Sequence, residues 1–127
     1  MKIFGIGTDI VKISRIDKLI KKKNLISRLF NKKEITKCSM IKNAKNCYAK
    51  RFAAKEAFAK ALGTGLAKGI KFNEIIVMNE KNGKPFIRLI DKTKINVEKK
   101  IKRKKYKISL SLTDEDKYAV AFVTISI

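Results

Sequence analysis

The chain has 127 residues, of which 32 are Lys or Arg and 11 are Asp or Glu, so its formal net charge is +21. This length predicts one domain, and a hydrophobic content of 45% is enough for a buried core. Histidine is absent from the sequence, which excludes Ser-His-Asp and Cys-His catalysis and His-ligated zinc.

The two cysteines, Cys38 and Cys47, are too few for a four-thiolate metal site. Together with a start that does not resemble a secretory signal, they indicate a reduced, cytoplasmic protein in which we expect no disulfide. The longest charge-free stretch, residues 118–127, is about half the length that a membrane-spanning helix needs. We therefore expect no membrane insertion.

The strong positive charge has two explanations that the sequence leaves open. It predicts a surface that attracts polyanions such as nucleic acid, phosphate-bearing cofactors or acidic proteins. Alternatively, the abundance of Lys, Ile and Asn reflects an AT-rich coding sequence. Aromatic residues are few, Arg is scarce among the basic residues, and no base-reading motif is present. We therefore do not expect a nucleic-acid partner.

The predicted elements begin with a strand over residues 3–11, where apolar residues alternate with small ones. A helix follows over residues 13–20, because its apolar residues recur at helical spacing. Either Thr8 or Ser14 could cap the start of this helix. A further turn is expected over residues 25–30, and a short helix with a loop over residues 32–43.

The strongest helical pattern covers residues 47–62, which are rich in Ala, Lys, Phe and Leu. Gly63 directly after it is typical of a helix C-terminus. A strand is then expected over residues 70–78 and its partner over residues 85–90, joined by a turn at Asn82-Gly83.

The last third of the chain predicts a polar helix and a hairpin. The helix covers residues 92–104, and the first strand of the hairpin has its apolar residues on one face over positions 108–113. Residues 114–117 turn the chain into an almost wholly apolar strand, 118–127. Together these elements predict a single α+β domain over residues 1–127, with a mostly antiparallel sheet packed on a long central helix.

Two acidic residues stand out because each interrupts an apolar pattern. Asp9 lies in the first strand, where an ionised side chain is costly unless it is paired or binds a metal. Its other interpretation is a helix cap or a salt bridge to a lysine. Glu56 lies among small and apolar residues on one side of the central helix. Its other interpretation is an exposed ion pair with Lys60, four residues later.

Two carboxylates from separate elements form a hard, oxygen-only site that suits Mg²⁺. Three cations of the central helix could then neutralise phosphate charge, namely Arg51, Lys55 and Lys60. Gly63-Thr64-Gly65 would allow a ligand to approach the backbone closely, although a plain helix stop explains it as well. Gly5-x-Gly7 is not a dinucleotide fingerprint, because no third glycine opens a helix at the required spacing.

Two longer motifs carry a specific resemblance. Residues 5–11, GIGTDIV, and residues 50–65, KRFAAKEAFAKALGTG, resemble the two signatures of the bacterial holo-[acyl-carrier-protein] synthases, the small class of 4′-phosphopantetheinyl transferases. Residues 82–85 and 111–119 resemble further segments of that family in order and spacing. Residues 21–46 and 92–105 match it in little beyond length and helical character.

The resemblance implies a 4′-phosphopantetheinyl transferase fold, assembled as a homotrimer with active sites at the subunit interfaces. It implies transfer of 4′-phosphopantetheine from coenzyme A to a serine of apo-acyl carrier protein, with release of adenosine 3′,5′-bisphosphate, in fatty acid biosynthesis. Mg²⁺ is the implied cofactor, with Asp9 and Glu56 as its ligands. A relative that modifies several carrier proteins remains an alternative.

The resemblance also implies individual roles. Glu56 and Lys60 are the expected catalytic residues. Because the transfer also needs an acceptor for the serine proton, we assign that role to Glu56, acting directly or through a metal-bound water. The expected coenzyme A contacts are Arg51, Lys60, Gly63, Gly65, Pro85 and Asp114. Some relatives have His where this chain has Asp114, so imidazole chemistry is excluded at that position. The acidic carrier protein is expected to bind Arg15, Lys18 and Lys22.

Overall fold

The computed structural model describes residues 1–64 and 69–127. The first half of the chain consists of one strand and four helices. In chain order they are β1 (Ile3–Lys12), α1 (Ile13–Ile20), α2 (Lys23–Leu29), α3 (Lys32–Ser39) and α4 (Ala44–Leu62). The predicted central helix is confirmed and begins three residues earlier than expected. It ends at Gly63, whose φ of 86° is the left-handed conformation that glycine adopts most readily.

The second half contains two hairpins separated by a helix. In chain order its elements are a 3-10 helix (Phe72–Glu74), β2 (Ile75–Asn79), β3 (Pro85–Leu89), α5 (Asp91–Ile101), β4 (Lys107–Asp114) and β5 (Tyr118–Ser126). The strand predicted over residues 70–78 is therefore partly wrong, because a 3-10 turn replaces its first half. Helix α5 ends earlier than predicted, where Lys102 adopts a left-handed conformation.

The strands form two antiparallel sheets, which confirms the predicted α+β class. One sheet has the order β1-β5-β4, and the other pairs β2 with β3. The suggested capping of α1 by Thr8 or Ser14 is wrong. Its N-cap residue is Lys12, which makes no side-chain capping hydrogen bond, and the Thr8 hydroxyl donates instead to the Ala121 carbonyl on β5.

Glycines allow α4 to lie directly on β1. A Cβ atom at Gly5 would overlap the carbonyl oxygen of Ala61, and one at Gly7 would overlap that of Ala57. A larger residue at either position would therefore push the helix away from the strand. The Gly5-x-Gly7 motif thus acts in helix–strand packing. Because side chains alternate along a strand, Asp9 projects from the same face as these glycines, toward α4.

The core surrounds α4 on most of its circumference. Its alanines from Ala49 to Ala61 are buried, together with Phe52 and Phe58. The inner residues of β5 complete this core, and they include Ala119, Ala121, Val123 and Ile125. Within the described residues, no helix is both long and apolar enough to cross a membrane.

Candidate active site

Asp9 and Lys60 form an ion pair between β1 and the last turn of α4. The Lys60 Nζ atom lies 3.2 Å from Asp9 Oδ1 and donates to the Thr8 carbonyl at 3.0 Å. The Asp9 side chain is 16% exposed and that of Lys60 is 56% exposed. The prediction that Asp9 needs a partner is therefore confirmed, and this partner is the salt-bridge lysine that the sequence left open.

Glu56 lies one turn before Lys60 and is half-buried. Burial raises the pKa of its carboxyl group, and the negative charge of Asp9 raises the pKa further, while Lys60 and Arg15 oppose both effects. Four charges therefore interact at this end of the molecule. The two carboxylates that the sequence singled out lie close enough to repel each other electrostatically.

The chemistry of this donor set fits a small divalent cation. Asp9 and Glu56 offer only oxygen ligands, and the mutual repulsion of their charges would be relieved by a cation between them. Among the residues that the structure describes, no group of three or more acidic or cysteine side chains could hold a metal ion. A cation here would therefore rest on two carboxylates, which is the arrangement Mg²⁺ commonly uses when water and substrate phosphate complete its shell.

The residues expected to bind a carrier protein lie on the neighbouring surface. Arg15 and Lys18 are exposed on α1, and Lys22 is exposed just before α2. The charge of Arg15 lowers the pKa of Glu56, so this side of α1 borders the acidic pair. The structure thus brings one predicted docking residue, Arg15, next to the predicted metal ligand Glu56.

Lys55 is not available to bind phosphate, so that expectation is wrong. Its side chain is fully buried, and Nζ lies 2.6 Å from Glu34 Oε1 and 2.7 Å from the Phe72 carbonyl. Burial lowers the pKa of Lys55 to about 8, while Glu34 acts in the opposite direction. The amide of Val77 donates to the other carboxylate oxygen of Glu34, so this pair ties α3, α4 and β2 together.

Sequence reasoning missed Glu34, although a signal was present. Asn31 and Glu34 form a capping box at the start of α3, in which the backbone N–H of Asn31 donates to Glu34 Oε1. An Asn followed three residues later by Glu is a recognisable sign of a helix start. The spacing could have located α3 and an inward-facing carboxylate, but not its buried lysine partner.

A cavity of about 480 Å³ lies on another side of α4. Helix α4 and the β2–β3 turn form its two main walls. Its lining residues are Lys37, Ile41, Asn43, Asn46, Cys47, Lys50, Arg51, Asn79, Glu80, Lys81, Gly83, Leu112 and Asp114. Four of them are cations, which makes the cavity suitable for an anionic ligand. Sequence reasoning identified only Arg51 and Asp114 of this set.

Arg51 lies in the wall of this cavity and is only 4% exposed. Its Nη1 donates to the carbonyl and Sγ of Cys47, and its Nη2 donates to Asn79 Oδ1 at 3.0 Å. Burial lowers the pKa of Arg51, against the opposing influence of Glu34. Within the described part of the chain, its buried Nε has no hydrogen-bond partner.

Asp114 lines the same cavity, whereas Pro85 is not among its lining residues. Asp114 accepts a hydrogen bond from Asn46 Nδ2 at 2.8 Å and lies 3.7 Å from Lys50 Nζ, which ties the end of β4 to α4. Pro85 begins β3 opposite Asn79. Gly63 ends α4 next to Lys60, and Gly65 lies outside the described residues.

Cys38 and Cys47 are joined by a disulfide, so the expectation of two free thiols is wrong. Helix α3 packs on α4 and brings the two Cα atoms to 5.5 Å, within bonding range. The expectation of free thiols rested on the reducing conditions of the predicted cytoplasmic location. The distance between the two cysteines is set instead by the packing of α3 on α4. Because Cys47 lines the cavity and also accepts from Arg51, the disulfide is joined directly to the cavity wall.

The acidic pair and the cavity lie on different sides of α4. Arg51 and Glu56 are five residues apart, which corresponds to about 140° around a helix axis and roughly 7.5 Å along it. The structure therefore groups Asp9, Glu56 and Lys60 in one place, and Arg51 with Asp114 in another.

Comparison with known proteins gives consistent matches over nearly the whole chain. A model described as the 4′-phosphopantetheinyl transferase superfamily matches residues 5–123. A holo-[acyl-carrier-protein] synthase of Pelagibacter ubique is 48% identical over 125 residues, covering 98% of each chain. The crystal structure of a Neisseria meningitidis holo-[acyl-carrier-protein] synthase superimposes with a TM-score of 0.88 at 35% identity, covering 98% of this chain and 99% of that one. The Helicobacter pylori enzyme in complex with coenzyme A superimposes with a TM-score of 0.80 at 30% identity, covering 95% and 99%.

Proposed function

The chain belongs to the 4′-phosphopantetheinyl transferase superfamily, as an enzyme of the holo-[acyl-carrier-protein] synthase group, and from this we propose that it transfers 4′-phosphopantetheine from coenzyme A to a serine of apo-acyl carrier protein. The reaction forms a bond between the serine oxygen and the β-phosphorus of coenzyme A. It breaks the pyrophosphate bond and releases adenosine 3′,5′-bisphosphate.

One observation carries the proposal: Asp9, Glu56 and Lys60 meet at the end of α4. A phosphoryl transfer needs charge neutralisation, a cation for phosphate oxygens and an acceptor for the nucleophile's proton. Lys60 is 56% exposed and is held by the Thr8 carbonyl as well as by Asp9. Its ammonium group is thus oriented and still accessible to a phosphate oxygen.

We propose Mg²⁺ as the cofactor, held by Asp9 and Glu56. When bound, the ion would neutralise negative charge on the pyrophosphate. Glu56 is the group we assign to accept the serine proton. In the metal-free protein, burial and the nearby Asp9 raise the pKa of its carboxyl group, and a cation held between the two acids would oppose that rise.

The cavity beside Arg51 is the proposed site for the nucleotide end of coenzyme A. Its cations, Lys37, Lys50, Arg51 and Lys81, would bind phosphate groups. Pro85 directly follows the β2–β3 turn that forms one wall of the cavity, and its contact with coenzyme A stays a prediction. Asp114 would act by holding Lys50 and Asn46 in place. Gly63 and Gly65 stay predictions as ligand contacts.

We further propose that the enzyme is a homotrimer with active sites between subunits. The catalytic acids and the cavity lie on different sides of α4, so a ligand in the cavity of one subunit could reach the acids of a neighbour. Ile6, Ile10 and Phe122 are 46–62% exposed on the outer face of β1 and β5, and a second subunit would cover them. Analytical ultracentrifugation tests this; a monomer at assay concentration would contradict it.

The proposed protein substrate is an acidic carrier protein that binds Arg15, Lys18 and Lys22. All three cations are exposed and Arg15 lies near Glu56, so a carrier bound there could present its serine to Glu56. Association should weaken as salt rises, because exposed charges are screened. Fatty acid biosynthesis and a cytoplasmic location stay predictions from the sequence.

The test is incubation of the protein with coenzyme A, MgCl₂ and apo-acyl carrier protein, followed by intact mass spectrometry. We expect the carrier to gain one phosphopantetheine group, and we expect EDTA to prevent the gain. Glu56→Gln should lower the rate by at least about 10³-fold while the protein still folds. Glu98→Gln is the matched control, because Glu98 lies on α5, and it should leave the rate unchanged. An active Glu56→Gln enzyme would overturn the assignment of the acidic pair.

A further inference from the structure

The cavity beside Arg51 has two walls from separate parts of the chain. Asn46, Cys47, Lys50 and Arg51 come from α4, whereas Glu80, Lys81 and Gly83 come from the β2–β3 turn. The width of the cavity therefore depends on how firmly the turn is held to the helix.

Asn79, the last residue of β2, bonds to both walls. Its Oδ1 accepts from Arg51 Nη2 at 3.0 Å, and its Nδ2 donates to the Gly83 carbonyl at 3.0 Å. Only one orientation of the amide serves both bonds. The reverse orientation would place a donor against the guanidinium and an acceptor against the carbonyl.

Arg51 depends on these contacts for its position. Its guanidinium is almost fully buried, and it is held on one side by Cys47 and on the other by Asn79. If Asn79 is removed, Nη2 loses its acceptor, and a buried charged group that lacks a partner is unfavourable. The guanidinium is then free to turn away from the wall of the cavity.

We propose that Asn79 is a positioning residue for coenzyme A binding. It fixes the Arg51 guanidinium and the β2–β3 turn at one separation, so that the nucleotide site is formed before the ligand arrives. This inference rests on the proposed function. Because Asn79 belongs to the cavity and not to the acidic pair, it should influence binding of coenzyme A and leave the chemical step unchanged.

The experiment compares Asn79→Ala with the wild-type enzyme at saturating apo-acyl carrier protein. We expect the KM for coenzyme A, and its Kd by isothermal titration calorimetry, to rise about 10-fold while kcat stays within about twofold. Asn73→Ala is the matched control. Asn73 also donates one side-chain hydrogen bond to a backbone carbonyl, that of Ser27, but it does not line the cavity beside Arg51, so both constants should stay unchanged.

A double-mutant cycle shows whether Asn79 acts through Arg51. In an Arg51→Ala background, Asn79→Ala should raise the KM for coenzyme A by less than about threefold, because the group that it positions is gone. If Asn79→Ala raises the KM for coenzyme A as much in the Arg51→Ala background as in the wild type, the positioning role is overturned. It is also overturned if Asn79→Ala alone has the wild-type KM, or if this variant loses only kcat. Thermal unfolding of each variant identifies any misfolded protein, and rescue of Asn79→Ala at high coenzyme A gives a second readout.

The outcomes separate this inference from the proposed function. If the wild-type enzyme does not modify the carrier protein, the proposed function fails. If the wild-type enzyme is active and Asn79→Ala matches it in KM and Kd, only the role of Asn79 fails.

Discussion

Lys55 and Lys60 are on the same helix, five residues apart, yet their environments are opposite. Lys55 is fully buried against Glu34, whereas Lys60 is 56% exposed beside Asp9. Five residues correspond to about 140° around the axis, so one lysine points into the core and the other toward the acidic pair. The buried ion pair holds α3, α4 and β2 together, and the exposed one orients a cation for chemistry. A lysine in a family motif therefore has a role that depends on where its side chain lies.

The largest effect is expected from breaking the buried pair. Glu34→Ala leaves Lys55 without its carboxylate in the core, and we expect the free energy of unfolding to fall by about 3–5 kcal/mol. Urea unfolding monitored by circular dichroism measures this fall in the free energy of unfolding. Glu115→Ala, in the exposed β4–β5 turn, should change stability by less than about 0.5 kcal/mol. A loss below about 1 kcal/mol in Glu34→Ala would show that the pair does not hold the core together.

Breaking the exposed pair should affect the rate instead. Lys60→Ala removes the cation proposed to contact phosphate, and we expect kcat/KM to fall about 10²–10³-fold. Stability should change by less than about 1 kcal/mol, since exposed ion pairs contribute little. Lys92→Ala, on the exposed surface of α5, is the control for loss of charge. A stability loss as large as that of Glu34→Ala would remove the distinction between the two lysines.

The disulfide belongs with the buried pair, because α3 carries both Glu34 and Cys38. Reduction adds two electrons and two protons and opens a loop with a sequence separation of 9. Loop entropy then predicts a stability loss of about 2.5 kcal/mol. Urea unfolding with and without dithiothreitol measures it, and the Cys38→Ser/Cys47→Ser double variant should not respond to the reductant. A wild-type protein that is equally stable in dithiothreitol would contradict the disulfide.

The smallest effect concerns the charge on Glu56 in metal-free enzyme. Its raised pKa means that the native state holds this proton more tightly than the unfolded state does. The stability gained from that proton is complete below the ordinary glutamate pKa and is lost as pH rises through the native pKa. In EDTA at neutral pH, Glu56→Gln should therefore unfold about 1–2 °C higher than wild type, and the gap should close in acid. A melting temperature lower for Glu56→Gln than for the wild type would contradict the predicted direction of this effect.

Local patterns predicted most of the elements and their type. The alanine-rich stretch before Gly63 gave α4 because helix propensity and a glycine stop act within a few residues. The alternation over residues 108–113 gave β4 in the same way. The first half of the predicted strand over 70–78 failed because its apolar residues fit a 3-10 turn as well as a strand.

The candidate site was predictable only where the sequence contained an anomaly. Asp9 and Glu56 stood out because charges interrupted apolar runs. Asn79 and Glu34 did not, because their roles depend on partners 28 and 21 positions away, Arg51 and Lys55. Hydrogen bonds at that separation leave no local pattern.

The sequence by itself determined the helices, most of the strands, the excluded chemistries and the pair of acids. Each of these depends on residue type and on neighbours within a turn or two. Only the tertiary structure decided which lysine is buried, that the two cysteines are bonded, and that the acids and the cavity lie on different sides of α4. Those outcomes depend on how closely distant segments approach, which is set by the packing of α3 on α4 and of α4 on Gly5 and Gly7.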